Sequence, residues 1–217
     1  MSGKTLNIRL PFYTLGEEIF NAVSHGIGAA FSIPALVMMT LRAHGGLPAV
    51  SVCLFGVSMI MLYTVSCVYH ALSRNLEGKK VLRVIDHCNV YALVLGTYIP
   101  VSLLGVGGTS GWVLFGIVCF CTVLGITLTA IRVDRFRIPQ VFCHLLSGWS
   151  ILLGWTRLTQ TMGRGGTVWL LFGGIFYTVG SVLYGVGSCR RYTHSVFHVF
   201  CLMGSFCHFI GIYGYLL

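Results

Sequence analysis

Charge is scarce in this sequence. Only 9% of its 217 residues are Asp, Glu, Lys or Arg, and only five residues are acidic. A water-soluble domain carries roughly 25% charged residues, because its exterior has to be wetted. That deficit excludes a water-facing exterior for most of the chain. Cysteine pairs are also missing. The nine cysteines fall mostly inside apolar runs, and none forms a CxxC. This excludes both a disulfide framework and a cysteine-based metal knuckle, and the cysteines read as buried apolar fillers. There is no low-complexity tract, no heptad pattern and no convincing internal repeat, which argues against coiled coils and repeat solenoids. Residues 1–15 lack the apolar core and small-residue cleavage site of a signal peptide, so the first helix is expected to be retained.

Long apolar stretches are what the sequence does have. Hydrophobic residues make up 56% of the chain. Runs fall near 19–41, 50–72, 84–106, 112–131, 141–158, 168–186 and 195–217. Each approaches the length of about 20 residues that spans a bilayer as a helix. The expectation is an all-α, polytopic membrane protein, with a seven-transmembrane-helix bundle forming one domain over 1–217. Between the runs lie Gly, Pro and basic residues, at 45–46, 74–83, 107–111, 132–139, 164–166 and 190–191, and these are the expected connections.

Lys and Arg give the expected orientation. Lys4, Arg9, Arg74, Lys79, Lys80, Arg83, Arg132, Arg135, Arg137, Arg190 and Arg191 fall on one side of the alternating runs, leaving only Arg42, Arg157 and Arg164 on the other. The positive-inside rule then places the N-terminus in the cytoplasm and the C-terminus outside. It also accounts for the net charge of +9 without a nucleic-acid partner. Membrane lipids and the bilayer are the expected partners, and the oligomeric state stays open. Small residues at helical spacing, Ser24/Gly28 and Ser181/Gly185, predict close helix contacts. Pro34 and Pro100, inside runs, predict kinks.

Ionisable residues inside a membrane span are expensive and call for a reason. Ser66 and His70 end the second run, Asp86 opens the third, and His194 and His198 open the seventh. His194 and His198 are four apart and project from one helical face. Two histidines so placed commonly supply two metal ligands. His70 offers a third, leaving a fourth position for water as in a catalytic zinc site. The expected topology brings all of these residues to one depth, near the cytoplasmic face. Zinc is the preferred ion among metals that accept imidazole. Asp86 and Ser66 are the candidate catalytic partners, with Asp86 placed to orient water or accept its proton. Structural readings stand beside these. The imidazoles would bond one another or the backbone, Asp86 would cap its helix, and Ser66 would serve a helix contact. Glu17, Asn21 and His25 form a polar stripe on the first helix, fit either to line the mouth of a cavity or to bond neighbouring helices. His208 is expected to hydrogen-bond another helix.

In ordered combination these motifs resemble the hemolysin III family, the bacterial branch of the progestin and adiponectin receptor (PAQR) superfamily. The resemblance covers nearly the whole chain. It rests on Glu17, Glu18, Asn21, His25 and Gly26, on Ser66 and His70, and on Asp86, His87 and Tyr91. Gly96, Thr97, Tyr98 and Pro100, then His194, His198, Gly204, Ser205, His208 and Phe209, complete it. It implies seven helices with the N-terminus inside. It also implies zinc on His70, His194 and His198, with Ser66 and Asp86 close by. Alkaline ceramidases share the Ser, His, Asp and paired-His pattern, which implies a zinc-dependent lipid amide hydrolase. Bacterial members are associated with membrane-fluidity homeostasis and by name with haemolysis, which implies a bacterial cytoplasmic membrane. Two other readings follow: a non-enzymatic sensor of membrane state with structural zinc, and a pore-forming haemolytic protein.

Overall fold

A computed structural model describes residues 8–133, 135–186 and 190–217, apart from the side chains of Arg137 and Val186. Lys4, Cys189 and the Arg137 side chain therefore lie outside the described residues. Those described are almost wholly helical. The helices are α1 (Leu15–Arg42), α2 (Gly46–Ala71), α3 (Glu77–Pro100), α4 (Gly108–Arg132), α5 (Arg137–Trp149), α6 (Trp155–Val186) and α7 (Thr193–Tyr215). By length and composition they supply six segments able to cross a membrane, the fifth being Ile138–Gly185. The expected span 141–158, and all but the last residue of 168–186, fall inside that fifth segment.

The segment is 48 residues long. At about 1.5 Å per residue a straight helix of that length would reach roughly 70 Å, more than twice the hydrocarbon thickness. It is not straight. Gly163 has φ 66° and ψ 177°, outside helical space and inside the region that favours glycine. On either side of it the arms run back along each other, for Trp149 Nε1 donates to Thr178 Oγ1 at 3.0 Å. The expected connection at 164–166 thus becomes one residue at 163. A turn of 3-10 helix, Ser150–Gly154, joins α5 to α6.

The prolines differ in effect. Pro34 sits inside a continuous α1. After Pro100, α3 passes into π-helical Val101–Val106. The tight contact expected at Gly28 is present: a methyl group there would lie 2.9 Å from the Tyr63 ring. Gly185 is open by comparison, with its nearest such neighbour, on Val141, at 3.8 Å. The described cysteines are all free.

The outside is apolar and the inside holds the polar groups. On α1, Ile19, Val23 and Ile27 are each more than half exposed, while Asn21, His25, Gly28 and Ser32 on the opposite face are buried. That is the pattern of a helix solvated by lipid. The centre of the bundle is packed with Met39, Val52, Phe55, Met59 and Tyr63. α1 packs on α2 and α7, α2 on α3, and α6 on α7. The C-terminal end of α2 and the N-terminal ends of α1, α3 and α7 consequently gather at one end of the bundle.

Candidate metal centre

His70 is the next-to-last residue of α2, and His194 and His198 lie in the first two turns of α7. The structure brings them together. One ligand atom from each of the three lies within 4.8 Å of the others. Ring centroids are 5.3 Å apart for His70–His194, 4.9 Å for His70–His198 and 4.6 Å for His194–His198. His70 and His198 are buried and His194 is partly exposed.

The α7 pair converges as the four-residue spacing requires, with Nε2 of His194 and Nε2 of His198 3.1 Å apart. Two nitrogens on one tetrahedral zinc, each at about 2.05 Å, would stand about 3.3 Å apart. Nε2 of His70 is buried and has no hydrogen-bond partner, and neither does the Ser66 hydroxyl. An unpaired buried polar atom costs about 1–3 kcal/mol. A cation would use the first directly, and water beside it would suit the second. The residues present therefore fit a metal ion.

Asp86 is buried in α3 and interacts with His70 and Ser66. The Ser66 hydroxyl approaches its carboxylate without completing a hydrogen bond. His87 Nδ1 lies 3.6 Å from Asp86 Oδ2, and the His87 ring turns away to meet Tyr184. The sequence-predicted set, His70, His194, His198, Asp86 and Ser66, thus occupies one neighbourhood.

The polar stripe on α1 divides. Glu17 is taken up by structure: its carboxylate accepts from Thr14 N at 2.8 Å, forming a capping box, and from Tyr192 N at 2.7 Å. The second bond holds Tyr192 at φ 62° as it enters α7. Among the described residues no other non-glycine has a positive φ, so Glu17 secures the backbone just before His194. Asn21 faces His70, with Nδ2 to Nδ1 at 3.5 Å, and His25 stacks on His198 at 3.7 Å. His208 stays apart, its Nε2 donating to the Leu170 carbonyl, as its position predicts.

Three residues at the site carry roles that sequence reasoning did not assign. Glu18 meets His70 Nδ1 at 2.6 Å, and Lys79 meets Glu18 at 2.6 Å. Tyr13 stacks over His194 at 5.0 Å and 20° and covers the site from the bundle end. Burial holds its phenol well above the usual value, against the opposing Arg83 guanidinium, so the ring is a neutral cover. The available signal was two opposite charges, Glu18 and Lys79, both expected at the histidine end.

One cavity borders the site and is lined by Asp86, His194, Gln140 and Tyr184. A second, which none of the site residues lines, runs between α3, α5, α6 and α7 and has mainly apolar walls, including Leu93, Val101 and Leu170. Val90, His144, Ser181 and Phe197 border both, so the two are neighbours.

Comparison with known proteins places these features. Residues 13–209 match the family model described as Haemolysin-III related. The chain is 35% identical to Hemolysin-3 of Bacillus cereus, covering 93% of this chain and 92% of that protein. It is 36% identical to the Hemolysin-3 homolog of Bacillus subtilis (strain 168), covering 94% and 96%. A more distant likeness, 24% identity over 73% of this chain and 40% of the relative, is to the Adiponectin receptor protein of Drosophila melanogaster.

Proposed function

This chain belongs to the haemolysin-III-related family, and on that premise we propose that it is a metal-dependent hydrolase of membrane-lipid amides acting in membrane-lipid homeostasis. His70, His194 and His198 hold the ion, which is zinc. The observation that carries the reading is the meeting of those three imidazoles beside Asp86, at a cavity that Asp86 and His194 border and that neighbours an apolar chamber. A dedicated structural ion needs neither the carboxylate nor the chamber.

An ion on three imidazoles supplies Lewis acidity at a carbonyl and makes water acidic enough to react near neutral pH. The remaining work falls to the chain. The apolar chamber takes the acyl chain and sets the amide carbonyl near His194. Asp86 accepts a proton from the attacking water and returns it to the leaving amine as the C–N bond breaks. Ser66 donates a hydrogen bond to the carbonyl oxygen as charge develops there. Phe197 and Val90, at the boundary of the two cavities, keep bulk water from the acyl side.

The membrane arrangement follows the same reading. The chain crosses seven times, with the N-terminus and the histidines at the cytoplasmic face. The doubling-back at Gly163 supports two crossings by Ile138–Gly185. So does the meeting of His70 with His194, since α7 can start at the level where α2 ends only if that segment crosses an even number of times.

The test is metal content and lipid turnover in purified protein. His194→Ala should lose bound zinc and turnover together. Turnover unchanged in that variant ends the hydrolase reading. A second reading, a non-enzymatic sensor in which the ion joins α2 to α7, is favoured by the site's position between these helix ends. It requires bound metal with no lipid consumed, which mass spectrometry of the lipid pool decides. Pore formation draws on the names of the relatives, and among the described residues the packed centre around Phe55 and Met59 offers no polar lumen.

A further inference from the structure

We infer that Glu18, backed by Lys79, is a positioning residue that keeps the His70 proton on Nδ1 and so presents an unprotonated Nε2 to the site shared with His194 and His198. The inference rests on the metal-site reading above.

One carboxylate makes two short contacts with different purposes. Glu18 Oε2 lies 2.6 Å from His70 Nδ1, and Oε1 lies 2.6 Å from Lys79 Nζ. A carboxylate only accepts hydrogen bonds, so the proton between Glu18 and His70 belongs to Nδ1. In a neutral ring the lone pair then sits on Nε2, the buried nitrogen without a partner. Asn21 Nδ2, at 3.5 Å from the same Nδ1, is too far to compete.

Lys79 explains why Glu18 stays ionised and in place. Its side chain is 3% exposed, and its ammonium donates to Glu18 and, at 2.9 Å, to the carbonyl of Leu72 just past the end of α2. It also faces the Tyr69 ring at 5.3 Å. An ammonium so enclosed requires a charged partner. The chain Lys79–Glu18–His70 therefore joins α3, α1 and α2 and ends on a candidate ligand. A purely structural ion pair would need only one oxygen of Glu18. The other is directed at the ring nitrogen, the arrangement by which an acceptor behind a metal-bound histidine fixes its tautomer and raises its basicity.

The test uses the full chain in lipid nanodiscs, with Zn²⁺ affinity measured by chelator competition and the visible spectrum recorded with Co²⁺. Glu18→Gln keeps the shape and removes the charge. It should weaken Zn²⁺ binding about 10–100-fold and shift the Co²⁺ bands, which loss of a structural tie elsewhere would not do. Glu77→Gln is the control, because it breaks the exposed Lys80–Glu77 pair in the same helix start and should leave both readouts unchanged. If Glu18→Gln does not fold, Lys79→Gln decides: several-fold weaker binding supports the inference and unchanged binding overturns it. Equal affinity and spectra in Glu18→Gln and the unaltered chain overturn the role of Glu18 and leave the metal site standing. No Zn²⁺ uptake by the unaltered chain overturns both.

Discussion

Asp86 is the residue whose two readings, helix cap and catalytic base, separate most cleanly by experiment. It lies in the third turn of α3, which begins at Glu77, too far from the first turn for the helix end to be its purpose. Its interactions run instead to Ser66 and His70. Asp86→Asn keeps the volume and removes the proton acceptor. Bound zinc should remain within about twofold of the unaltered chain, while lipid turnover falls about 10²–10⁴-fold, the usual contribution of a general base. Parallel loss of zinc and turnover would instead make Asp86 part of the ion's support. The histidines were legible because two constraints coincided: a four-residue spacing on one helix, and apolar runs that alternate direction. Glu18 was not, because neighbouring acids look alike in sequence. Glu17 and Glu18 differ by about 100° around α1. Only the packed positions of Tyr192 and His70 show that the first caps and the second backs a ring.

Among the elements, the α5–α6 segment departs most from its sequence pattern. The two apolar runs and a connection at 164–166 were visible, but the turning residue was not, since Gly163, Gly165 and Gly166 stand close together and only one bears the positive φ. Sequence alone does not rank them, because all three relax the helix. Packing does: a methyl group on Gly165 would crowd the Tyr215 ring and one on Gly166 would crowd Tyr215 Cβ and Met162, while one on Gly163 meets nothing. Gly163→Ala should therefore cost about 1–2 kcal/mol through backbone conformation alone. Gly174→Ala, at an open helical position, should be neutral or stabilise by about 0.5–1 kcal/mol. Unfolding of both variants in detergent checks the pair, and equal effects would contradict the turn at 163. A second device holds the same segment. Tyr98 donates from its hydroxyl to the Gly148 carbonyl at 2.5 Å and accepts from Ile151 N–H at 3.1 Å, joining α3 to the start of the 3-10 turn. The run at 141–158 gives no sign of this, because the partner lies about fifty residues away.

At the scale of the whole molecule, Arg74, Lys79 and Arg83 and the three clustered histidines belong to one end. Arg74 donates to the Leu10 carbonyl and Arg83 to that of Arg9, so the chain entering α1 lies over the α2–α3 connection, beside Tyr13 and the imidazoles. At the far end, Arg42 stacks over Tyr213, where α1 and α7 finish together. The sequence could order these ends but could not join them, since the contacts depend on helices folding back in register. Orientation in a membrane then rests on which end carries the excess of Lys and Arg. In a cysteine-free background, Lys80→Cys and Arg164→Cys report the two ends. A membrane-impermeant maleimide applied to intact cells should label Arg164→Cys at once and Lys80→Cys only after permeabilisation. The reverse order would invert the molecule without disturbing the site. Labelling of both from the same face would mean that Gly163 and the α2–α3 connection share a side. An even number of crossings by Ile138–Gly185 would then be lost, and His70 could not meet His194 within one leaflet.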